Sequence, residues 1–403
     1  MSELEALLSA DARNFRPSAI RALSKLINDP SIISFAGGVP NPETFPAEDL
    51  LICAEKVLRE KRSVSLQYGP TLGLFRLRES VAAICRDRSI DAGGEQVLIT
   101  TGSQQALNLV AQTMLDPGDV VLVELPTYIG GASSFHARRA DLIGVEQDDA
   151  GIDPASLRKV AEDLVSSGRR VKFLYTIPNF QNPSGRLMVA ERREAVLAIA
   201  TEFDFLILED DPYGELVYIE GLDTTPIKAL DRSGRVIYLG SFSKVLAPGL
   251  RCGWILADSA MLRQFELAKE AADLCSGMLD QSIVDEFCAA GKLNAQIARV
   301  REFYRDRRGA MIAELALSFA GIAHWTDATG GLFTFVTMHE AVDTAALIEG
   351  AVGMGVAYVP GSAFFVDGSG ANTMRLTFAK EGDERMREGL ARLKRFFENL
   401  EHG

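Results

Sequence analysis

Five short apolar runs, each followed by a turn, constrain the fold of this 403-residue chain more than any other feature. Each run is nearly continuous in apolar residues, which is typical of strands covered on both faces. Helical stretches such as residues 190–202 (AERREAVLAIATE) lie between several of the runs. This alternation predicts an α/β architecture with a mostly parallel central sheet. The predicted strands are residues 96–100 (QVLIT), 120–124 (VVLVE), 171–177 (VKFLYTI), 205–209 (FLILE) and 236–240 (VIYLG).

The last part of the chain has a different pattern, which indicates a smaller α+β unit. Because this change comes near residue 290, we expect a large domain over residues 46–290. Residues 1–45 and 291–403 are expected to form an N-terminal segment and a small domain. The predicted elements of the C-terminal part are a helix at residues 294–317, strands at residues 330–337 (GGLFTFVT) and 373–378 (TMRLTF), and a helix at residues 383–400.

Charge and cysteine usage narrow the classes of function. The formal net charge is -13, which argues against nucleic acid or an anionic membrane as a partner. The five cysteines are scattered without a CxxC motif and the four histidines do not cluster, so we expect reduced thiols and no metal. The N-terminus lacks the apolar core of a signal peptide, and no stretch is apolar for the length of a bilayer. A cytoplasmic location is therefore expected.

Polar residues follow the first three predicted strands, at the edge where open parallel sheets bind ligands. Ser103 and Gln104 open a helical run, where free N–H groups suit a phosphate, although such residues also serve as simple helix caps. Tyr128 can stack on a flat aromatic ligand or pack in the core. Asn182 lies just before a proline, so its carboxamide can donate to a phenolate-like oxygen, unless the turn is an ordinary loop.

The fourth and fifth predicted strands lead to charged residues. Asp210 follows the fourth strand, and Tyr213 comes three residues later. A buried carboxylate needs a cationic partner, which a protonated ring nitrogen would supply. A metal is the competing interpretation, but no third ligand with suitable spacing is visible. Lys244 follows the fifth strand, and a nearby cation would lower the pKa of its amine and suit it to Schiff-base chemistry. The residues around Lys244 are Ser241, Ser243 and Arg251.

The order of these five clusters is more specific than any one of them. One ligand accounts for all five if it has a phosphate, an aromatic ring with a phenolic oxygen, a basic ring nitrogen and an aldehyde. The sequence therefore predicts pyridoxal 5'-phosphate (PLP) as the cofactor, held by Lys244 as a Schiff base.

At this point the sequence resembles the fold-type-I, PLP-dependent class I/II aminotransferases. Within them it is most similar to the branch of 2-aminoadipate and kynurenine aminotransferases. The resemblance extends from about Arg16 to the C-terminal helix and implies the PLP-dependent transferase fold of type I. The motifs that carry it are residues 34–46 (SFAGGVPNPETFP), 66–73 (LQYGPTLG), 98–107 (LITTGSQQAL), 181–185 (QNPSG), 209–213 (EDDPY) and 240–251 (GSFSKVLAPGLR).

The resemblance implies a role in cofactor binding for each matching residue. Lys244 would carry the cofactor and move a proton, and Asp210 would keep the ring nitrogen protonated. Tyr213 and Asn182 would bond the phenolic oxygen, and Tyr128 would stack on the ring. The catalytic residues would thus be Lys244, Asp210 and Tyr213. The phosphate would be held by Ser103, Gln104, Ser241, Ser243 and Arg251, with Tyr68 reaching it from the neighbouring subunit.

The resemblance also implies how substrates bind. Arg375 matches the arginine that binds the substrate α-carboxylate in a bidentate fork. Gly38 and Asn182 would line the substrate side of the site. Arg21 would meet an acidic substrate side chain, or else be a solvated helix residue. A homodimer with shared active sites is expected.

The expected reaction moves an amino group between an amino acid and a 2-oxo acid by a ping-pong mechanism. The amino acid would be aromatic, long aliphatic or similar to 2-aminoadipate, and the 2-oxo acid would be 2-oxoglutarate. The alternatives are a PLP-dependent C–S β-lyase or racemase on the same fold, or a PLP-binding sensor without turnover. Related regulators carry a DNA-binding module ahead of this fold, and we expect no room for one before Arg16. The set of Lys244, Asp210 and Arg375 argues against a sensor.

Overall fold

The computed structural model describes residues 7–15, 29–338 and 342–400, with the side chain of the last residue excepted. Its strands form an eight-stranded sheet, a four-stranded sheet and a two-stranded pair. The strands are β1 (Ile33–Ser34), β2 (Val97–Thr101), β3 (Val120–Leu125), β4 (Asp141–Asp148), β5 (Gly151–Ile152), β6 (Val171–Thr176), β7 (Leu206–Asp210), β8 (Val236–Ser241), β9 (Cys252–Leu256), β10 (Ala323–Trp325), β11 (Phe333–Met338), β12 (Val356–Ala357), β13 (Val359–Pro360) and β14 (Thr373–Thr377).

The α-helices flank these strands, and several begin at a residue suited to capping. Asp153 caps the seventh helix by accepting from the backbone N–H groups of Ala155 and Ser156, and Pro154 occupies the first helical position. The helices are α1 (Ala10–Asn14), α2 (Ala47–Glu60), α3 (Arg62–Ser65), α4 (Phe75–Asp87), α5 (Ser103–Met114), α6 (Ile129–Ala137), α7 (Pro154–Ser166), α8 (Ala190–Glu202), α9 (Ile227–Leu230), α10 (Ser259–Asp273), α11 (Met278–Ala289), α12 (Leu293–Ser318), α13 (Thr344–Gly353) and α14 (Asp383–Leu400).

The large sheet has the strand order β2-β9-β8-β7-β6-β3-β4-β5. From β8 to β4 all neighbours are parallel, while β9 and β5 are antiparallel to the strands beside them. The expected α/β fold with a mostly parallel sheet is therefore confirmed. The five predicted strands correspond to β2, β3, β6, β7 and β8, each within one residue at either end.

The continuous apolar runs have a simple cause, because the sheet is covered on both faces. Along β3, Val120 and Leu122 pack into one buried cluster, whereas Val121 and Val123 pack into the other. Successive side chains of a strand point to opposite faces, so both sets must be apolar. Parallel strands covered in this way end together at one edge, and that edge positions the site.

The smaller sheet has the order β10-β11-β14-β13, and all of its pairs are antiparallel. The helices α12 and α14, which pack against each other, correspond to the two predicted C-terminal helices. The chain returns here from its beginning, because β1 pairs in parallel with β12. The division of the chain near residue 290 stays a prediction. Within the described ranges, no helix combines the length and the apolar character needed to span a membrane.

Candidate active site

Residues predicted for the site follow adjacent parallel strands and meet at one edge of the large sheet. Asp210 is the last residue of β7, and Ser241 is the last residue of the neighbouring β8. Their strands are in register with Asp210 opposite Leu239. Lys244 lies three residues beyond β8, in a turn that follows the strand. The sheet therefore brings a carboxylate and an amine to the same edge.

The two carboxylate oxygens of Asp210 differ, because one accepts a hydrogen bond and the other has no hydrogen-bond partner within the described residues. Its Oδ2 accepts a hydrogen bond from the Tyr175 hydroxyl at 2.9 Å. Its Oδ1 is buried and has no hydrogen-bond partner within the described residues. Burial raises the pKa of Asp210 to about 7, and the Tyr175 hydrogen bond opposes that rise. A buried carboxylate oxygen without a partner favours a cationic group beside it.

Lys244 has an amine that is easily deprotonated. Its Nζ donates to the carbonyl oxygen of Gly38 at 3.0 Å and lies 6.0 Å from the centre of the Tyr213 ring. Burial lowers the pKa of Lys244 to about 8, and the positive charges of Arg375 and Arg251 act in the same direction. The amine can therefore lose its proton near neutral pH and act as a nucleophile or proton carrier.

Arg375 is a buried cation in β14. One guanidinium nitrogen donates to the Asn182 carboxamide oxygen at 2.9 Å, and the other donates to the carbonyl of Ala36 at 3.0 Å. The guanidinium carbon lies 4.2 Å from the centre of the Phe333 ring and 5.1 Å from that of Phe364.

The Nε of Arg375 is buried without a hydrogen-bond partner, and none of the described carboxylates forms an ion pair with this residue. Burial lowers the pKa of Arg375 to about 10. A buried cation without a counter-ion favours an incoming carboxylate.

A second group of residues surrounds the start of α5. Gly102 precedes the helix with a φ of 74°, and a Cβ at this position would lie 2.4 Å from Nη2 of Arg251. The Arg251 guanidinium, which donates to the carbonyl of Thr101 at 3.1 Å, is therefore held against the beginning of the helix. Helix-start N–H groups beside a guanidinium make a site for a phosphate.

Gln104, Ser241 and Ser243, which are also predicted to bind the phosphate, lie in two small hydrogen-bond networks. The side chain of Gln104 donates to the Ser134 hydroxyl at 2.8 Å. The hydroxyl of Ser241 donates to that of Ser243 at 2.8 Å and accepts from the backbone N–H of Ser243 at 3.0 Å. Ser103 is the first residue of α5.

Aromatic side chains form the walls between these groups. Tyr213 is buried, its pKa is raised by burial, and its hydroxyl is hydrogen-bonded to the side chain of Asn182. Tyr128 stands immediately before α6, where a Cβ on Gly130 would lie 2.5 Å from its ring. Gly38 lies close to Phe333, because a Cβ added to this glycine would be 3.2 Å from that ring.

Two predicted site residues are not brought to this site by the described part of the chain. Tyr68 is 79% exposed and has no place among the buried groups around Lys244. Arg21 lies outside the described residues. No group of three His, Cys, Asp or Glu side chains within the described ranges could hold a metal ion.

Comparison with known proteins decides the family. The family described as "Aminotransferase class I and II" matches residues 41–393. The chain belongs to the class I and II aminotransferases. This aminotransferase is 42% identical to "Aromatic-amino-acid aminotransferase 1" of Thermococcus litoralis, over 97% of its own length and 94% of that protein.

Two solved structures extend the comparison to the cofactor. The kynurenine aminotransferase of Pyrococcus horikoshii, crystallised with PMP, has a TM-score of 0.95 and 39% identity, over 99% of this chain and 98% of that one. The α-aminoadipate aminotransferase of Thermus thermophilus, complexed with N-(5'-phosphopyridoxyl)-L-leucine, has a TM-score of 0.91 and 38% identity over 100% of both chains. The cofactor of this aminotransferase is PLP, and its fold is that of the type I enzymes.

The groups around Lys244 fit this cofactor. The orphaned oxygen of Asp210 provides a partner for a protonated ring nitrogen, and the start of α5 with Arg251 provides donors for a phosphate. The lowered pKa of Lys244 provides a neutral amine for the aldehyde. The aminotransferase thus has all three kinds of group that PLP requires.

The sequence analysis did not identify two buried residues that hold the site residues in place through hydrogen bonds. Tyr175 bonds Asp210 but lies within an apolar strand, where a tyrosine is indistinguishable from a core residue. Glu124 is buried at the end of β3 and accepts from the side chains of Thr176 and Gln181 at 2.7 and 3.0 Å. It therefore holds the turn that carries Asn182. A glutamate that ends an apolar run was the only signal available.

Proposed function

We propose that this aminotransferase exchanges an amino group between an aromatic, long aliphatic or 2-aminoadipate-like amino acid and 2-oxoglutarate. The observation that carries the proposal is the convergence of Lys244, Asp210 and Arg375. A deprotonable amine, an unpartnered carboxylate oxygen and a buried guanidinium without a counter-ion lie around one site. Transamination needs these three groups for proton transfer, for a charged cofactor ring and for the substrate carboxylate.

Arg375 is assigned to bind the α-carboxylate of both substrates. Its guanidinium is held by Asn182 and Ala36 and flanked by two phenylalanine rings, so that its orientation is set before substrate arrives. A preorganised guanidinium loses little conformational entropy on binding. Gly38 lies beside Arg375, because a Cβ there would be in van der Waals contact with Nη2, at 3.7 Å.

Lys244 is assigned to hold the cofactor and, once substrate has displaced it, to move the proton at its Nζ. A lysine with a pKa of about 8 can accept and return a proton near neutral pH. When bound, PLP supplies a positively charged aromatic ring that accepts the electron pair left on the substrate Cα. Asp210 is assigned to hold the proton on that ring's nitrogen through Oδ1.

The other assignments concern binding of the cofactor. Tyr213 and Asn182 are proposed to contact its phenolic oxygen, and Tyr128 is proposed to stack on its ring. The arrangement of Ser241 and Ser243 beside Lys244, and of Arg251 beside the start of α5, supports their assignment to the phosphate. The proposed phosphate ligands are Ser103, Gln104, Ser241, Ser243 and Arg251.

The substrate assignment rests on apolar surface beside the cation and on the relatives. Phe333 and Phe364 provide aromatic surface next to Arg375, which suits an aromatic or long side chain. Relatives named for aromatic amino acids, kynurenine and 2-aminoadipate cover nearly the whole chain. Arg21, which lies outside the described residues, is proposed to meet the distal carboxylate of a dicarboxylic substrate.

We further propose a cytoplasmic homodimer in which Tyr68 reaches the phosphate of the neighbouring subunit. The support is an apolar surface on α2 to α4 and on the segment between α3 and α4. Its exposed side chains are Leu51, Ile52, Leu58, Val64, Leu66, Tyr68 and Phe75. A concentration of exposed apolar side chains in one stretch of the chain is typical of a protein–protein interface.

A panel of amino donors tests the reaction and the substrate class. With 2-oxoglutarate as acceptor, the purified enzyme should form one glutamate for each aromatic, long aliphatic or 2-aminoadipate donor consumed. Ammonia with pyruvate would instead identify a β-lyase, and loss of optical purity a racemase. Arg21→Ala should raise KM for the dicarboxylic substrates and leave that for apolar donors nearly unchanged. Equal effects on both classes would contradict the role of Arg21.

A further inference from the structure

Tyr175 is a buried tyrosine whose hydroxyl is hydrogen-bonded to Asp210. It lies in β6, opposite Leu208 of β7, and its exposed fraction is 0%. Its hydroxyl donates to Asp210 Oδ2 at 2.9 Å. An apolar side chain would fill the same space in the core, so packing alone does not require a hydroxyl at this position.

The surrounding structure holds the Tyr175 ring tightly. A Cβ on Gly131 of α6 would lie 2.6 Å from the ring and 3.0 Å from the hydroxyl oxygen. Phe135, one turn further along α6, meets the ring edge to face with 5.3 Å between the ring centres. A side chain enclosed in this way cannot swing its hydroxyl away from Asp210. The absence of a side chain on Gly131 provides the space in which the phenol fits.

The hydrogen bond makes the two oxygens of Asp210 unequal. Oδ2 is satisfied by Tyr175, so the carboxylate plane has a fixed direction, and Oδ1 is left as the acceptor without a partner. A donor to a carboxylate stabilises its charged form. The two effects together present one charged oxygen in one orientation.

From this geometry we propose that Tyr175 is a positioning residue, which holds Asp210 charged and presents Oδ1 to the cofactor's ring nitrogen. The inference rests on the proposed role of Asp210. Without the Tyr175 hydroxyl, Asp210 becomes more basic, so the proton shared by the ring nitrogen and Oδ1 moves from the nitrogen to the oxygen. The total number of protons is unchanged, but the ring loses its positive charge.

The electrostatic surroundings of Asp210 agree with this role. Burial raises the pKa of Asp210, and among the groups that lower it Tyr175 has the largest effect. Of the neighbouring charges, Asp211 and Glu124 raise the pKa and Lys244 lowers it. Burial raises the pKa of Tyr175 well above the ordinary value for tyrosine, so its hydroxyl is a protonated donor at neutral pH.

The chain offers a matched control in the neighbouring strand. Tyr238 of β8 is also buried, and its hydroxyl donates to Asp211 Oδ2 at 3.0 Å. Tyr175→Phe and Tyr238→Phe therefore remove the same kind of hydrogen bond, from adjacent carboxylates, at the same depth. Asp211 is additionally bonded by Arg88 and Asn179, so it keeps its partners in the control.

The test measures protonation of the ring nitrogen directly, with PLP labelled with ¹⁵N in the ring and bound to each variant. Tyr175→Phe should move the ¹⁵N chemical shift toward the value of an unprotonated pyridine and lower kcat about tenfold. Tyr238→Phe should leave the ¹⁵N shift at the wild-type value. Gly131→Ala, which crowds the ring but retains the hydroxyl, should move the shift in the same direction as Tyr175→Phe.

Asp210→Asn separates failure of this inference from failure of the proposed function. If the ¹⁵N chemical shift differs from the wild-type value in Asp210→Asn but not in Tyr175→Phe, the role of Tyr175 alone would be overturned. An unchanged shift in Asp210→Asn would overturn the assignment of Asp210 itself. Equal shifts in Tyr175→Phe and Tyr238→Phe would also overturn the inference, because they would indicate a general loss of packing.

Discussion

At the scale of residues, two consecutive carboxylates differ completely in their surroundings. Asp211 accepts hydrogen bonds from Asn179 and Tyr238 at 3.1 and 3.0 Å and pairs with Arg88 at 2.9 Å. Asp210 has a single bond, to Tyr175, and keeps one oxygen free of partners within the described residues. The partners of Asp211 commit it to structure, whereas Oδ1 of Asp210 is available to a ligand.

Asp210→Asn and Asp211→Asn should therefore fail in different ways. Asp210→Asn should lower kcat by roughly 10²-fold while PLP still binds, because the ring loses its charge partner. Asp211→Asn should mainly lower the free energy of unfolding, by roughly 3 kcal/mol, because Arg88 loses its closest counter-ion. Steady-state kinetics and denaturant unfolding of both variants separate the two effects. The reverse pattern would move the assignment by one residue.

The cofactor-free protein should have a pH dependence that reports Asp210. Burial raises the pKa of Asp210 from 3.8 to about 7, so the folded state binds a proton that the unfolded state releases within this window. The free energy of unfolding should therefore fall as pH rises from about 4 to about 7. Glu124 and Glu209, whose pKa values are also about 7, contribute in the same direction. Asp210→Asn should make this slope smaller, and an identical slope would contradict the prediction.

Lys244→Ala should remove nearly all turnover, by roughly 10³-fold or more, because the amine that holds the cofactor and carries the proton is lost. Borohydride reduction of the wild-type enzyme should fix PLP at Lys244, and peptide mass mapping identifies the position. Lys228→Ala is the control, since that lysine lies in α9 and is ion-paired with Asp231, the residue after this helix. It should keep both the adduct and the activity. An adduct on another lysine would contradict the assignment.

At the scale of elements, the start of α5 combines a backbone conformation that favours glycine with a close side-chain contact. Gly102 has a φ of 74°, a conformation that favours glycine, and its missing Cβ leaves room for the Arg251 guanidinium. Both features are needed if the helix N-terminus and the guanidinium are to face one phosphate. Gly118, before β3, shares the positive φ of 87° but has nothing within 4 Å of the position of a Cβ.

Gly102→Ala should raise the Kd for PLP at least about tenfold, because the new methyl group displaces Arg251 from the phosphate. Gly118→Ala has the same kind of backbone strain, about 1–2 kcal/mol, without that displacement. Both variants should lose similar stability, and only the first should lose affinity. Titration of PLP into the cofactor-free proteins measures Kd. Equal affinities of the two variants would show that the close contact at Gly102 is unimportant for phosphate binding.

At the scale of the whole molecule, α2 to α4 all pack against α11 and carry exposed apolar side chains. Residues exposed there include Leu51 and Val64, at 62% and 49%. In a monomer these apolar side chains would be exposed to water, which is unfavourable in free energy. Association of two subunits would bury them. Tyr68 is also exposed and lies in the segment between α3 and α4, so we propose that the interface and the shared site are one feature.

The double variant Leu51→Arg/Val64→Arg should be a monomer by light scattering and should lose activity. Leu317→Arg, at a leucine near the end of α12 that is 77% exposed, should remain a dimer. Mixing Lys244→Ala with a Tyr68→Phe variant should restore activity in hybrid dimers if Tyr68 acts in trans. An active monomeric wild-type enzyme would contradict the shared site.

The sequence alone was sufficient to locate five of the eight strands of the large sheet and the polar residues that follow them. Continuous apolar runs reflect burial on both faces, and β2, β3, β6, β7 and β8 lie where these runs predict them. The cofactor followed from the order of five clusters, because each strand end carries one part of a single ligand. These features depend on residues that are close together in the chain, so they can be predicted from the sequence.

Tertiary structure decided what each of these residues contacts. β9 joins the sheet between β2 and β8, which no local pattern around Arg251 indicated. The pairing of Tyr175 with Asp210, and of Asn182 with Arg375, joins residues 35 and 193 positions apart. Packing alone determines which oxygen of Asp210 is satisfied and which polar atoms of the site are left without a partner. The sequence thus determined the chemical groups, and the fold determined their charge states and orientations, because burial and distance exist only in three dimensions.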